Sequence, residues 1–108
     1  VVNQQYDRSS KEARIARANA GEYFQKLRNA KGYTQRDISE ILGLKYYTFI
    51  SQVENGQGRL PPYLWVKAAK ALDVNVKEFA LCMLHYYDPH AWAAITTEDE
   101  LKNGTDNV

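Results

Sequence analysis

A chain of 108 residues has room for one compact domain around a single core, which predicts no separate sensor domain, no catalytic domain and no ligand control. Its 44% apolar and 25% charged residues are those of an ordinary soluble globule, without the roughly 20-residue apolar run that spans a bilayer, and the polar, charged start carries no secretory signal. The net charge of +1 is unevenly divided: ten Lys/Arg against six Asp/Glu over residues 1–60 leave +4, and four Lys against seven Asp/Glu over 61–108 leave −3. A basic half beside an acidic half suits a polyanion partner, although charge alone does not separate that from a solvated surface. The lone Cys82 excludes an intrachain disulfide and predicts a reducing, cytoplasmic compartment.

Residues 1 to about 9 are polar, and a first helix is predicted from about Ser10 to Ala30, rich in Ala, Glu, Lys and Arg with Phe24 and Leu27 facing inward. Gly32 ends it. Thr34 opens a second helix with Asp37 three residues on, a capping-box-like pair, and Ile38, Ile41 and Leu42 form its buried stripe. Gly43 supplies a left-handed turn residue. A third helix is predicted from Leu44 to Asn55, closed by Gly56. Pro61 and Pro62 stiffen the entry to a fourth, in which Leu64, Ala68, Ala69 and Leu72 recur at helical spacing. After the break at Asp73–Asn75, the pair Asn75 and Glu78 caps a fifth helix running to about Tyr87. Asp88–Pro89 is read as its stop, followed by one short apolar turn over His90 to Ile95 and an acidic tail from Thr96 to Val108.

The second and third helices, hinged at Gly43, form a helix-turn-helix, whose second helix is shaped to lie in a DNA major groove. With Ile50 on the inward side of that helix, Tyr46, Val53 and Glu54 fall with it, while Lys45, Thr48, Ser51, Gln52 and Asn55 gather opposite. Gln and Asn can pair with adenine, Lys suits guanine acceptors and Thr can touch a thymine methyl. Tyr47 and Phe49 lie on the flanks, where a ring either packs on a neighbouring helix or offers apolar surface to a thymine. Base contacts are therefore assigned to Lys45, Tyr47, Thr48, Ser51 and Gln52. An isolated helix with this face would be read as merely solvated. The preceding helix, the Gly hinge and the basic loop that follows reverse that preference.

From about Ala20 to Tyr87 the chain resembles the Cro/C1-type, or XRE-type, helix-turn-helix repressors, through Leu27–Arg28, Thr34–Gln35, Ile38, Leu42–Gly43, Ile50–Ser51, Val53–Glu54–Asn55–Gly56 and Leu72 to Phe79. The resemblance implies an all-α, five-helix lambda-repressor-like domain of bacterial or phage type that binds a palindromic DNA operator as a homodimer. The chain then divides into a basic extension over 1–19 that continues into helix one, a DNA-binding domain over 20–87, and a dimerisation segment with an acidic tail over 88–108. The resemblance further implies a structural ion pair between Arg28 and Glu54, and a Gln35 that holds a phosphate and touches the first operator bases. Gly43 to Glu54 is one residue longer than the common spacing, Lys45 stands where a Ser or Thr cap is common, and Asp73 where Gly often ends the fourth helix.

Phosphate contacts are expected from Gln35, Arg36, Asn55, Gln57 and Arg59, with Arg59 foremost. Arg8, Lys11, Arg14 and Arg17 form a row that either adds phosphate contacts or solvates a helix face. The apolar surplus of the last third, which includes Leu81, Met83 and Tyr86, assigns dimerisation to Leu84, Tyr87, Trp92 and Ile95; the competing reading has Trp92 and its neighbours folding back onto the monomer's own core. Cys82, His85 and His90 fall short of a zinc ligand set, and no phosphate-binding Gly loop, Ser/His/Asp set or paired-carboxylate site is present. The sequence thus predicts no enzyme, no metal and no cofactor. The leading expectation is an operator-binding repressor. The alternative is an antitoxin-like protein that neutralises a protein partner through its C-terminal surface and autoregulates its promoter.

Overall fold

The computed structural model describes the backbone of residues 9–106 and the side chains of residues 9–97; Arg8 and the acidic side chains of the tail lie outside the described residues. Six α-helices follow in order among the described residues: α1 (Lys11–Lys31), α2 (Gln35–Ile41), α3 (Thr48–Glu54), α4 (Trp65–Ala71), α5 (Val76–Tyr87) and α6 (Pro89–Asp106), with a 3-10 turn over Pro62–Leu64 leading into α4. α1 packs across α3 and α5, α2 lies on α3, and α5 is flanked by α4 and α6. The core between them contains Phe24, Ile38, Ile50, Val53, Leu60, Phe79 and Met83, all fully buried.

Caps set the helix starts. The Ser10 Oγ accepts from the Ala13 N–H at 3.1 Å. At α2 the box is reciprocal, with Thr34 Oγ1 accepting from Asp37 N–H at 3.0 Å and Asp37 Oδ2 accepting from Thr34 N–H at 2.9 Å. The Asn75 Oδ1 accepts from the Glu78 N–H at 2.9 Å and opens α5.

One device closes four helices in succession. After each, a residue with positive φ (Gly32 at 78°, Gly43 at 73°, Gly56 at 83°, Asp73 at 59°) turns the chain. The amide of that residue and the next donate back to the last turn, as in Gly43 N to Glu40 O at 3.0 Å and Leu44 N to Ser39 O at 2.9 Å. This is the Schellman pattern, and the three glycines meet its left-handed requirement without steric cost. Asp73 meets it with a side chain in place, the position at which glycine was the family's usual residue.

Helix boundaries and burial depart from expectation at several points. The third helix starts at Thr48, not Leu44. Leu44 closes α2 through its amide and packs half-buried against the core, so it cannot also begin α3. Ile41, expected in the buried stripe, is 37% exposed. The chain after Asp88 is an 18-residue helix rather than a short turn and a tail: Asp88 Oδ1 accepts from the Ala91 N–H at 3.1 Å, and Pro89 occupies a first-turn position where its missing N–H costs nothing. The same dipeptide that ends α5 starts α6, giving six helices where five were expected.

Tyr87, expected at a dimer surface, is a core residue, 4% exposed. Its hydroxyl accepts from the buried Leu60 N–H at 3.0 Å and ties α5 to the loop after α3. Tyr87→Phe leaves that N–H without its acceptor and should lower unfolding free energy by about 1–3 kcal/mol in a urea titration. Burial, opposed by the Leu60 N–H and the nearby Arg59, holds the phenol above its ordinary value of 10.0. The folded state therefore favours the neutral phenol, and the stability this gives is intact below the ordinary value and is lost as pH rises from there through the raised folded value.

Candidate nucleic-acid interface

The short helix α3 presents two unlike sides. Ile50 and Val53 are fully buried; Thr48, Gln52 and Asn55 are exposed and Ser51 is half-buried. The exposed side is polar and unbranched except at Thr48, and it offers both donors and acceptors.

What holds this helix is a buried polar network at its C-terminal end. Arg28 of α1 donates from Nε to Glu54 Oε2 at 2.7 Å and from Nη2 to Glu54 Oε1 at 2.9 Å. Its Nη1 donates to the Tyr33 carbonyl at 2.8 Å, and Gln35 Nε2 donates to Glu54 Oε1 at 3.0 Å. The Arg28 and Glu54 side chains are 9% and 4% exposed. One carboxylate therefore joins α1, the start of α2 and the end of α3. The bond to Glu54 pushes the already high Arg28 pKa further up, partly opposed by burial. Bidentate geometry of this kind fixes orientation as well as charge.

Close backbone packing completes the seat. A Cβ at Gly21 would fall on the carbonyl oxygens of Val53 and Glu54, and one at Gly56 would press on the backbone of Ala18. Arg17 Nε donates to the Gly56 carbonyl at 3.3 Å, placing a cation at the negative end of α3. Gly21 and Arg17 were not singled out for this role from sequence. The available signal was Gly21 itself, since a glycine inside an Ala-rich helix costs about 1 kcal/mol and implies close approach.

Lys45 and Tyr47 lie in the turn before α3 rather than on it. The Lys45 Nζ sits 5.4 Å from the centre of the Tyr46 ring and the Arg36 guanidinium 4.9 Å from that of Tyr47. Tyr46, expected on the inward side, is 63% exposed, because the late helix start takes it off the α3 register. Phe49 packs half-buried against the core. Gln57 is exposed, and the Asn55 Oδ1 accepts from its amide at 3.0 Å. Arg59, the foremost expected phosphate grip, turns instead toward α5, where Nη2 donates to the Tyr87 carbonyl at 3.2 Å and the guanidinium lies 4.9 Å from the Tyr87 ring. Lys11 and Arg14 are exposed along α1.

The helix-turn-helix family model matches residues 24–79, more than half of the chain. The chain belongs to the Cro/C1-type helix-turn-helix family. This Cro/C1-type protein is accordingly a DNA-binding regulator. The match contains Arg28, Gln35, both helices of the motif and Glu54, while the first half of α1 and all of α6 fall outside it. No curated protein matches the chain.

Among the described residues no group of His, Cys, Asp and Glu could hold a metal, and no helix is long and apolar enough to cross a membrane. The Cys82 thiol is pushed up by burial, which disfavours the nucleophilic thiolate. The Tyr23 phenol beside it is pushed up to about 12, by burial first and by Cys82 next.

Proposed function

We propose that this protein is a transcriptional repressor that binds a palindromic operator as a homodimer, with α3 in the major groove of each half-site. The observation that carries this reading is the polar, exposed face of a helix whose other side is fixed by the buried Arg28–Glu54–Gln35 network. A reading head set that firmly can present side chains without reorganising on binding.

Base contacts come from Thr48, Ser51 and Gln52 on α3, with Lys45 and Tyr47 contributing from the turn. Backbone contacts come from Arg36, Asn55 and Gln57 around it. Gln35, which already donates to Glu54, retains its amide oxygen and a second N–H for the strand. Arg59 acts chiefly by holding its loop to α5. For the dimer, Leu84, Trp92 and Ile95 remain the contributing residues; Leu84 and Trp92 are half-buried, and Ile95 is 50% exposed on α6. A twofold pair sets its two reading helices about 34 Å apart, one turn of DNA.

Gln52→Ala tests the reading face, because its side chain is exposed and its loss leaves the core intact. The variant should lose about 1–3 kcal/mol of discrimination at one base position of each half-site while retaining nonspecific affinity. Competition binding with single-base variants of the operator measures this. Unchanged preference at every position would remove Gln52 from base recognition.

A further inference from the structure

The turn between α2 and α3 has a composition and geometry that sharpen what its residues add to the reading by α3. Leu44 is drawn inward, and the late start of α3 leaves Lys45, Tyr46 and Tyr47 outside both helices, with Tyr46 63% and Tyr47 45% exposed. Each ring carries a cation: Lys45 over Tyr46 at 5.4 Å and Arg36 over Tyr47 at 4.9 Å. Two aromatic residues left exposed in a turn give up apolar burial, and the cations over their rings hold them in place rather than covering them.

Tyr47 immediately precedes Thr48, the first residue of α3, so its ring stands at the entry of the reading helix. A major groove offers one apolar group, the C5 methyl of thymine; every other feature there is a hydrogen-bond donor or acceptor. The ring of Tyr47 meets the methyl through its apolar surface, and its hydroxyl, which could pair with a polar base edge instead, is told apart from the ring by Tyr47→Phe below. A guanidinium stacked on a ring keeps its in-plane N–H donors available, and their geometry matches phosphate oxygens. Arg36 stacked on Tyr47 therefore brings a phosphate donor and an apolar base contact together as one unit.

We infer that Tyr47 is a specificity-determining residue that reads a thymine methyl at one edge of each half-site, with Arg36, stacked on its ring, gripping the adjacent phosphate. This rests on the operator-binding reading above, and its test separates the two. The ligand feature is a single methyl group, so the duplex bound best by the full-length chain is resynthesised with deoxyuridine replacing one thymine at a time.

The expected result is one thymine per half-site at which loss of the methyl weakens wild-type binding about fourfold, the size of one methyl-sized burial. Tyr47→Ala should bind the thymine and deoxyuridine duplexes equally, while Tyr47→Phe, which keeps the ring, should retain the fourfold difference. Tyr47 lies outside the buried core, and circular dichroism of each variant checks the fold directly. A chain that selects a sequence but is indifferent to deoxyuridine at every thymine overturns this inference alone. So does a Tyr47→Ala variant that still senses the methyl. A chain that selects no sequence overturns both this and the reading beneath it.

Discussion

Gly21→Ala is expected to destabilise the protein by about 3 kcal/mol, the reverse of what its helical position suggests. In a helix interior the exchange normally gains about 1 kcal/mol, because alanine loses less backbone entropy on folding. Here the added Cβ falls on the carbonyl oxygens of Val53 and Glu54. Those atoms are backbone and cannot rotate away, so α3 must lift from α1, which strains the Arg28–Glu54 bonds and opens the core at Ile50 and Val53. Urea titration of the two proteins gives the sign directly. A stabilised Gly21→Ala protein would mean that α3 does not sit against α1 as described. The loss should extend to DNA affinity even where the variant stays folded, because the displaced element carries Thr48, Ser51 and Gln52.

Glu54→Ala should cost about 3–5 kcal/mol, the range for removing one partner of a buried ion pair. The variant leaves the Arg28 guanidinium with only the Tyr33 carbonyl among the partners described above, and leaves the Gln35 amide without its acceptor. Arg28→Met together with Glu54→Leu should cost less than the sum of the two single changes, since an apolar pair leaves no orphaned charge. Equilibrium unfolding of the four proteins supplies the coupling energy. Additive losses would show that the two residues stabilise the fold independently.

Much of the helix-turn-helix was legible because its signals are local. Thr34 with Asp37, Gly43, Gly56 and Asn75 mark boundaries within three or four residues, and the stripes Ile38 with Leu42 and Ile50 with Val53 follow the helical period. The start of α3 was not legible for the corresponding reason. From Leu44 to Tyr47 there is no capping side chain, Tyr47 makes no side-chain cap, and periodicity run backward from Ile50 finds Tyr46 at an apparently inward position. The Schellman closure that claims Leu44 for the previous helix decides the matter.

At α6 the signal was present and had two meanings. Asp-Pro after an apolar run reads as a stop, yet Asp followed by Pro is also a cap followed by a first-turn residue. Arg59 and Tyr87 illustrate the other limit. They are 28 residues apart, and neither the loop nor the helix pattern indicates that one stacks on the other. The sequence pattern pointed Arg59 to DNA and Tyr87 to a dimer surface; the fold buries Tyr87 and sets the Arg59 guanidinium against its ring and carbonyl. The Arg28–Glu54 pair, 26 residues apart, was anticipated only through family resemblance. Long-range polar partners have no periodic trace in a single sequence.

The proposed function depends on the reading of a defined DNA sequence by α3 on behalf of two chains. It is tested most directly by selecting bound sequences from a random duplex pool with the full-length chain, then titrating the winner at two salt concentrations and weighing the complex. The expected result is a palindrome with half-sites about one helical turn apart, two chains per duplex, and a sequence preference that persists as salt lowers overall affinity. Weak binding to all sequences that vanishes with modest salt would contradict it and direct attention to a protein partner on the C-terminal surface.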